Sequence, residues 1–328
     1  MQSFDVNNIF SLTNDPGSFL EQCLHTFRFQ YAQNPVYRRW CELTKADPSF
    51  IKTHTGIPAL PISFFKTHEV QTTEFIPETV FESSGTTKTN TSRHLVKDVS
   101  LYRRSFLEAF KLFYGNVNDW RILGLLPSYL ERQHSSLVMM VDELIQLSGH
   151  SSSGFYLDDH EKLSATLQQL EAKQQKTLLI GVTFGLLDFA AAYPQQLKHT
   201  VIMETGGMKG RRKELTRVEV HQLLMNGLGI PEIHSEYGMT ELLSQAYSKG
   251  DGRFFCPPWM KVLVRDEEDP MSIKESGRGL LQVIDLANQY SCSFIATDDV
   301  GMVYEDGSFE VWGRLDNSDI RGCSLLVV

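Results

Sequence analysis

The order of secondary-structure patterns along this chain is the feature that most restricts its fold. Predicted helices cover 16–46, 98–114, 135–147, 159–174 and 211–228, and predicted strands cover 73–82, 122–127, 178–183, 200–207 and 233–238. From about residue 250 the apolar runs become short and turns separate them, which is typical of a β meander. Strands that alternate with helices and then give way to a meander predict an α/β fold with a smaller β-rich part.

Length, charge and cysteine content narrow the class of protein. At roughly 100–200 residues per domain, a chain of 328 residues is predicted to form two domains or one large one. The 40 acidic and 31 basic residues give a net charge of −9, which argues against a nucleic-acid coat protein. The five cysteines form no CxxC pair, so neither a disulfide scaffold nor a zinc knuckle fits.

The sequence carries no pattern of export or membrane insertion. The N-terminus lacks the basic and apolar regions of a signal peptide. The most apolar stretch, 178–193, is shorter than the roughly 20 residues of a membrane helix, and Asp188 interrupts it. We therefore expect a cytoplasmic protein with no membrane span.

Several common catalytic motifs are missing from the sequence. No glycine run matches GxxxxGK[ST], and residues 277–282 depart from the dinucleotide fingerprint GxGxxG at the last position. The zinc motif HExxH is absent, and residues 149–154 miss the nucleophile elbow GxSxG by one residue. These four chemistries are therefore not predicted.

The strongest local feature is a run of small hydroxyl residues around one glycine, followed by a lysine. The run consists of Ser83, Ser84, Gly85, Thr86, Thr87 and Lys88. It can bend tightly and present backbone N–H groups and hydroxyls to an anion, and the lysine adds a positive charge. A surface turn rich in serine and threonine has the same composition, so the run alone leaves both interpretations open.

Polar groups also follow three predicted strands. Residues 235–241 place an aromatic ring, a glycine, a hydroxyl and a carboxylate on one turn, and Thr240 with Glu241 would equally suit the start of a helix. Asp299 ends a later strand and could accept hydrogen bonds from two neighbouring hydroxyls, as a ribose offers. Gly313 and Arg314 follow closely.

The order of these segments resembles the adenylate-forming superfamily of acyl-CoA synthetases, luciferases and peptide-synthetase adenylation domains. In that pattern a (S/T)SG(S/T)TG loop precedes YGxTE, then TGD, then GRxxD; here SSGTTK, YGMTE, TDDVG and GRLD occur in the same order. A closer resemblance is to the LuxE-type acyl-protein synthetase family, which includes O-antigen acyl-transfer proteins. It rests on residues 57–61, 64–66, 131–137, 204–210 and 321–323, and it spans about residue 55 to the C-terminus.

This resemblance implies an architecture as well as a reaction. It implies an adenylation core over 1–312, with α/β layers to about residue 248 and a β-rich part from about residue 250. Residues 313–328 would form a hinge remnant and a C-terminal arm, without the lid domain that follows in full-length superfamily ligases. The family activates a fatty or other carboxylic acid with ATP as an acyl-adenylate and transfers the acyl group to a thiol.

The resemblance also implies a role for each candidate residue. The loop residues Ser83, Ser84, Gly85, Thr86, Thr87 and Lys88 would hold the β- and γ-phosphates of ATP. Thr240 would contact the α-phosphate, and Glu241 would bind Mg²⁺. Gly206, Gly207, Tyr237 and Gly238 would surround adenine, with Tyr237 stacking on the base, whereas Asp299 and Arg314 would hold the ribose. In isolation Gly206-Gly207 and Asp298-Asp299 also suit ordinary turns.

Two positions depart from the superfamily pattern. Lys88 stands where the phosphate loop usually ends in glycine, and Asp298 replaces the glycine of TGD. A lysine at the first position suits phosphate binding. An aspartate at the second means that the turn does not require a glycine conformation.

Cys323 is the candidate acyl acceptor. It matches the cysteine near the C-terminus of LuxE-type proteins, and Arg321 beside it would favour the thiolate that attacks a mixed anhydride. The segment around it also suits a buried strand with an inert thiol. Two alternatives stay open, namely transfer to coenzyme A or a carrier protein, and a non-catalytic adenylate-binding subunit. The expected partners are a carboxylic acid and an acceptor protein such as a reductase or carrier, with no nucleic acid; the oligomeric state is not predicted.

Overall fold

The computed structural model describes residues 6–13, 15–83, 91–126, 134–157, 159–206, 215–266, 268–269 and 271–315. The helices are α1 Pro16–Gln33, α2 Pro35–Leu43, α3 Phe64–Thr67, α4 Val99–Tyr114, α5 Ser136–Ser148, α6 His160–Ala172, α7 Thr183–Ala192 and α8 Arg217–Leu228. The strands are β1 Leu60–Pro61, β2 Thr79–Glu82, β3 Arg93–Val96, β4 Arg121–Leu125, β5 Gly154–Phe155, β6 Thr177–Gly181, β7 Thr200–Glu204, β8 His234–Tyr237, β9 Ala246–Ser248, β10 Phe254–Phe255, β11 Met260–Arg265, β12 Ile273–Lys274, β13 Gly277–Asp285, β14 Phe294–Val303 and β15 Phe309–Arg314. Single 3₁₀ turns lie at Val6–Ser11, His54–Gly56 and Val117–Asp119.

One large mixed sheet organises the described part of the chain. Its order is β12-β11-β13-β14-β15-β10-β9-β8-β7-β6-β4-β5, and β1 pairs with β14 beside this path. The pairs β5–β4, β4–β6, β6–β7 and β7–β8 are parallel, as their helical connections require. From β9 onward the pairing within this path is antiparallel. The observed architecture therefore confirms the predicted α/β fold, whereas the division at about residue 250 stays a prediction because the sheet is continuous there.

Helix starts are set by short polar side chains at the capping positions. Asp15 accepts a hydrogen bond from the Ser18 N–H at 2.7 Å and begins α1. Asn34 accepts from the Tyr37 N–H at 3.0 Å and begins α2, with Pro35 at the first helical position. The single helix predicted over 16–46 is therefore two helices, because Asn34 has an extended backbone conformation that ends α1.

The N-terminal helices are built into the β-rich part of the fold. Gln30 is fully buried, and its Nε2 donates to the carbonyl oxygens of Asn288 at 3.1 Å and Gln289 at 2.9 Å. Its Oε1 accepts from the Ser293 N–H at 3.0 Å. The first 50 residues, which showed no usable sequence motif, thus stabilise the turn between β13 and β14.

The other predicted elements lie close to those observed. Strand β2 begins at Thr79 rather than at residue 73, and α8 is described from Arg217 onward. Among the described helices, none is long and apolar enough to cross a membrane.

Candidate active site

The candidate site is a cleft beyond the carboxyl ends of neighbouring parallel strands. Strand β7 ends at Glu204 and β8 at Tyr237, and the segments that follow them meet at one edge of the sheet. Two cavities of about 460 and 390 Å³ open there. They share Thr205, Gly206, Glu236, Gly238 and Met239 as lining residues, so they form one continuous cleft with two halves.

Asp299, Tyr237 and Arg314 form a hydrogen-bonded cluster in the smaller cavity. The Tyr237 hydroxyl donates to Asp299 Oδ2 at 2.8 Å, and Arg314 Nε donates to Asp299 Oδ1 at 2.8 Å. Asp299 and Arg314 are directly paired on β14 and β15, so the sheet register fixes this contact. Burial, and then the Asp299 carboxylate, raise the pKa of Tyr237 well above its ordinary value, so the phenol keeps its proton. The cluster offers a fixed carboxylate to a ligand that carries hydroxyl groups.

Tyr237 has a second set of contacts that the sequence did not predict. Its ring packs edge-on against Phe309 at 5.2 Å and near Phe254 at 5.9 Å. The side chain is 8% exposed and lines the smaller cavity. Its role in fixing Asp299 follows from this geometry, whereas stacking on a base stays a prediction.

Glu204 holds the backbone at Gly206 in the position that opens the cleft. Glu204 Oε2 accepts from the Gly206 N–H at 2.8 Å and from Thr183 Oγ1 at 2.9 Å. Gly206 has a positive φ of 73°, which suits glycine. Burial would raise the pKa of Glu204, but the hydrogen bond from His221 and the charge of Arg217 outweigh it, and the pKa is lowered to about 2. Glu204 is thus a charged anchor beneath the loop.

Buried polar residues hold the turn that contains Thr240 and Glu241. Asn288 Nδ2 donates to the Glu241 carbonyl at 2.7 Å, and His94 Nδ1 lies 2.8 Å from the Thr240 carbonyl. His94 Nε2 lies 2.9 Å from Asn288 Oδ1. Burial lowers the pKa of His94 to about 4, and a neutral ring has one N–H, which donates to one of these two oxygens. The turn therefore has a defined backbone before any ligand binds.

Thr240 and Glu241 occupy different environments on this turn. Thr240 lines the larger cavity, whereas the Glu241 side chain is 5% exposed and receives a hydrogen bond from Ser92. Burial raises the pKa of Glu241, and the hydrogen bond from Ser92 partly offsets that effect. Within the described ranges, no three His, Cys, Asp or Glu side chains gather as a metal site. One carboxylate still fits Mg²⁺, because this ion usually takes one or two protein carboxylates together with water and substrate phosphates.

The larger cavity contains both polar and apolar side chains. Ser83 lies at its edge and accepts, through Oγ, the Ser92 N–H at 2.9 Å. Leu137, Met140 and Val182 provide apolar surface. His134 is exposed there, with Nδ1 3.2 Å from the Val80 carbonyl oxygen.

Some predicted site residues lie outside the described ranges. They are Ser84, Gly85, Thr86, Thr87, Lys88, Gly207 and Cys323. The structure brings together Ser83, Gly206, Gly238 and Thr240 around the larger cavity, and Gly206, Tyr237, Gly238, Asp299 and Arg314 around the smaller one. Their assigned roles stay predictions.

The four described cysteines are unsuited to nucleophilic attack. Cys23, Cys41 and Cys292 are buried, and Cys256 is partly buried; none forms a disulfide. Burial raises the pKa of Cys41 and of Cys256 to about 12 and raises those of Cys23 and Cys292 further. These thiols stay protonated near neutral pH, so they are structural residues.

Comparison with known proteins assigns this chain to a family. The family model described as "Acyl-protein synthetase, LuxE" matches residues 9–328. A long-chain-fatty-acid–luciferin-component ligase of Aliivibrio fischeri is 26% identical over 330 residues, covering 91% of this chain and 85% of that protein. The protein of the same name from Vibrio harveyi is 23% identical over 324 residues, covering 91% of this chain and 84% of that protein.

Solved structures of adenylate-forming enzymes share the fold. An open conformation of 2-hydroxyisobutyryl-CoA ligase matches with a TM-score of 0.67 and 11% identity, covering 92% of this chain and 75% of that chain. ATP-bound MatB from Rhodopseudomonas palustris matches with a TM-score of 0.53 and 16% identity, covering 74% of this chain and 49% of that chain. The match therefore spans about half of MatB, and at these identities the likeness concerns the fold. The near-complete match to the family model shows that this chain belongs to the LuxE family of acyl-protein synthetases.

Proposed function

We propose that this protein activates a fatty carboxylic acid with ATP to an acyl-adenylate and then transfers the acyl group to a protein thiol. The observation that supports this most directly is the cluster of Asp299, Tyr237 and Arg314 in a cleft that continues into a second cavity. In this proposal a nucleotide ribose occupies the first half and an acyl chain occupies the second. The names of the two long-chain-fatty-acid ligases support the choice of acid.

In the first step, a carboxylate oxygen of the acid attacks the α-phosphorus of ATP. The bond from that phosphorus to the bridging oxygen breaks, and pyrophosphate leaves with the electron pair. The protein has to hold two anions close together and offset their repulsion. Thr240 would donate its hydroxyl to the α-phosphate, and Ser83 with the loop after it would hold the outer phosphates.

Mg²⁺, when bound, neutralises phosphate charge, and the Glu241 carboxylate is the residue that would hold it. His94 and Asn288 would keep the Thr240–Glu241 backbone in place during this step. Asp299 would accept the ribose hydroxyls, with Tyr237 and Arg314 fixing the carboxylate. Glu204 would keep Gly206 against the adenine.

In the second step, a thiolate attacks the acyl carbon, and AMP leaves as the carbon–oxygen bond of the anhydride breaks. We propose Cys323 as the first acceptor because the four described cysteines are protonated. A reductase, a carrier protein or coenzyme A would then be the final acceptor. Unpaired thiols suit a reducing cytoplasm, which is the compartment we propose.

Acid-dependent exchange of labelled pyrophosphate into ATP tests the first step. Purified protein is incubated with Mg²⁺, ATP and saturated acids of increasing chain length. We expect exchange that depends on the acid and is lost on chelation of Mg²⁺. Absence of exchange with every acid would contradict the proposed adenylation.

Labelled acid and ATP test the second step in wild type and in Cys323→Ser. We expect an acid-stable, hydroxylamine-labile label on the wild-type chain and none on the variant, which should keep full exchange activity. A variant that still forms thioester on an added thiol at the wild-type rate would exclude Cys323 as an obligatory acceptor.

A further inference from the structure

Two polar side chains form part of the wall of the larger cavity, where the proposed acyl chain would bind. Glu236 belongs to β8, and Gln245 immediately precedes β9. Both line the cavity of about 460 Å³, and Glu236 also lines the smaller cavity. Glu236 therefore lies at the junction of the two halves of the cleft.

Both side chains approach Gly238. A Cβ atom built on Gly238 would lie 2.3 Å from Glu236 Oε1 and 3.3 Å from Gln245 Cγ. Gly238 is two residues before Thr240, the residue proposed to contact the α-phosphate. The polar pair is therefore close to the end of the acyl cavity where the carboxylate would react.

Neither group has a hydrogen-bond partner within the described part of the chain. Gln245 is 4% exposed, and its Oε1 is buried without a partner. Among the described residues, none donates a hydrogen bond to the Glu236 carboxyl group and no basic side chain pairs with it. An alkyl chain packed against this wall would exclude water from the partly exposed Glu236 carboxyl group without replacing its hydrogen bonds, which weakens binding by about 10- to 100-fold.

We propose that the acid substrate carries a hydroxyl group on C2 or C3, and that Glu236 and Gln245 bind this hydroxyl. The inference rests on the proposed adenylation and specifies its substrate class. A hydroxyl both donates and accepts, so it can bond to a carboxyl group and an amide at once. The position at the junction of the cavities places the hydroxyl near the reacting carboxyl, and Leu137, Met140 and Val182 are left for the alkyl part.

The protonation state of Glu236 agrees with this assignment. Burial, and then the nearby Glu204 carboxylate, raise the pKa of Glu236 to about 8. The group is therefore mostly neutral at pH 7. It can donate a hydrogen bond to the substrate hydroxyl, and it adds little repulsion toward the substrate carboxylate.

Pyrophosphate exchange with acids of one chain length tests the substrate class. The arms are the unsubstituted acid, its 2-hydroxy and 3-hydroxy forms, and its 2-amino and 3-amino forms. We expect kcat/KM for one hydroxy acid to exceed that of the unsubstituted acid by at least about 10-fold. Equal values for the two, or a preference for an amino acid, would overturn the proposal while leaving adenylation intact. Exchange with none of them would instead contradict the proposed function.

Variants test whether Glu236 and Gln245 cause the preference for the hydroxy acid over the unsubstituted acid. Gln245→Met removes the amide and keeps the length of the side chain, and we expect the hydroxy-to-unsubstituted ratio to fall by about 10-fold or more. Glu236→Gln keeps a donor and an acceptor, and we expect it to keep most of the preference. Met140→Leu, which changes an apolar residue of the same cavity, is the matched control and should leave the ratio unchanged.

Binding provides a readout that does not need turnover. In wild type with ATP present, the preferred hydroxy acid should raise the melting temperature more than the unsubstituted acid does. This difference between the two acids should vanish in Gln245→Met. An unchanged ratio in Gln245→Met, in either exchange or binding, would overturn the assignment to this pair.

Discussion

At the scale of single residues, the site depends on carboxylates that are fixed by neutral or cationic donors. Asp299 is held by Tyr237 and Arg314, and Glu204 is held by the Thr183 hydroxyl of α7 and the Gly206 N–H. A fixed acceptor needs little reorganisation when a ligand arrives, which favours tight binding of a hydroxyl-rich nucleotide. The same arrangement makes these residues sensitive to substitution.

Asp299→Asn should weaken ATP binding strongly. The change removes the charge from two hydrogen bonds of 2.8 Å, and hydrogen bonds to charged groups contribute about 1.5–3 kcal/mol each. We expect the KM for ATP in pyrophosphate exchange to rise by about 10- to 100-fold. Tyr237→Phe keeps the carboxylate and should cause a smaller rise. If the folded Asp299→Asn variant had the same KM for ATP as the wild type, a role of Asp299 in nucleotide binding would be excluded.

Glu204 should make stability depend on acid pH. Its pKa is about 2 in the folded protein against an ordinary value of 4.5, so its contribution is complete above pH 4.5 and is lost as the pH falls toward 2. A shift of this size corresponds to about 3 kcal/mol. Urea unfolding between pH 6 and pH 3 should therefore show a steeper loss of stability in wild type than in Glu204→Gln. Parallel curves for the two proteins would contradict the role of the charge.

At the scale of elements, strand register positions the cluster of Asp299, Tyr237 and Arg314. Strands β14 and β15 pair Asp299 with Arg314, and a register shift lies between Val300 and Gly301. A Cβ atom on Gly301 would lie 2.0 Å from the Glu310 carbonyl oxygen, so the close approach of the two strands requires glycine there. This register shift therefore helps to direct the Asp299 side chain into the cleft.

Gly301→Ala should disturb both stability and nucleotide binding, because the strands must separate to accept the methyl group. We expect a loss of several kcal/mol in the free energy of unfolding and a raised KM for ATP. Gly313→Ala is the matched control on the paired strand, since a Cβ atom there meets nothing within 4 Å. A similar stability of the two variants would show that β15 can move without cost.

The elements themselves could be predicted from the sequence to a useful degree. Amphipathic periodicity is local, so α4, α5 and α6 were located within a few residues of their observed ends. The break at Asn34 was missed because one capping hydrogen bond decides it within a continuous periodic pattern. The predicted start of β2 was too early because the limits of a strand are set by its pairing partner. Strand β2 pairs with β3 only from Thr79 onward.

The candidate site could be predicted in part. Motif order located residues that line the cleft, and Gly206 and Gly238 follow strand ends as expected. Asp299 was expected to end a strand but lies within β14, where a register shift follows it. The residues that position them were missed, since His94 lies 146 positions from Thr240 in the sequence and Asn288 lies 47 positions from Glu241. Glu236 and Gln245 were missed because their proposed importance lies in having no side-chain partner among the described residues, which becomes visible only in the folded cavity.

At the scale of the whole molecule, long-range hydrogen bonds join the first helix to the last strands. Gln30 on α1 contacts Asn288, Gln289 and Ser293, more than 250 residues later. The turn that receives these bonds also contains the side chain that holds the Glu241 carbonyl. The N-terminal helices are therefore part of the scaffold of the active site.

Gln30→Leu should destabilise the protein because it leaves buried carbonyl and N–H groups without partners. Each such group costs about 1–3 kcal/mol, so we expect a clear fall in the midpoint of urea unfolding. Gln33→Leu, an exposed position on the same helix, is the control and should change the midpoint little. Equal midpoints for the two variants would contradict a structural role for Gln30.

The contact between Gln30 and Asn288 also bears on how the protein can be handled. An expression boundary placed after the first 45 residues would keep every adenylation motif and still remove the support beneath Asn288. Such a shortened chain would retain its recognisable signature yet lose the backbone geometry at Glu241. Affinity tags and fusions are accordingly safer when a spacer leaves the start of α1 free to dock.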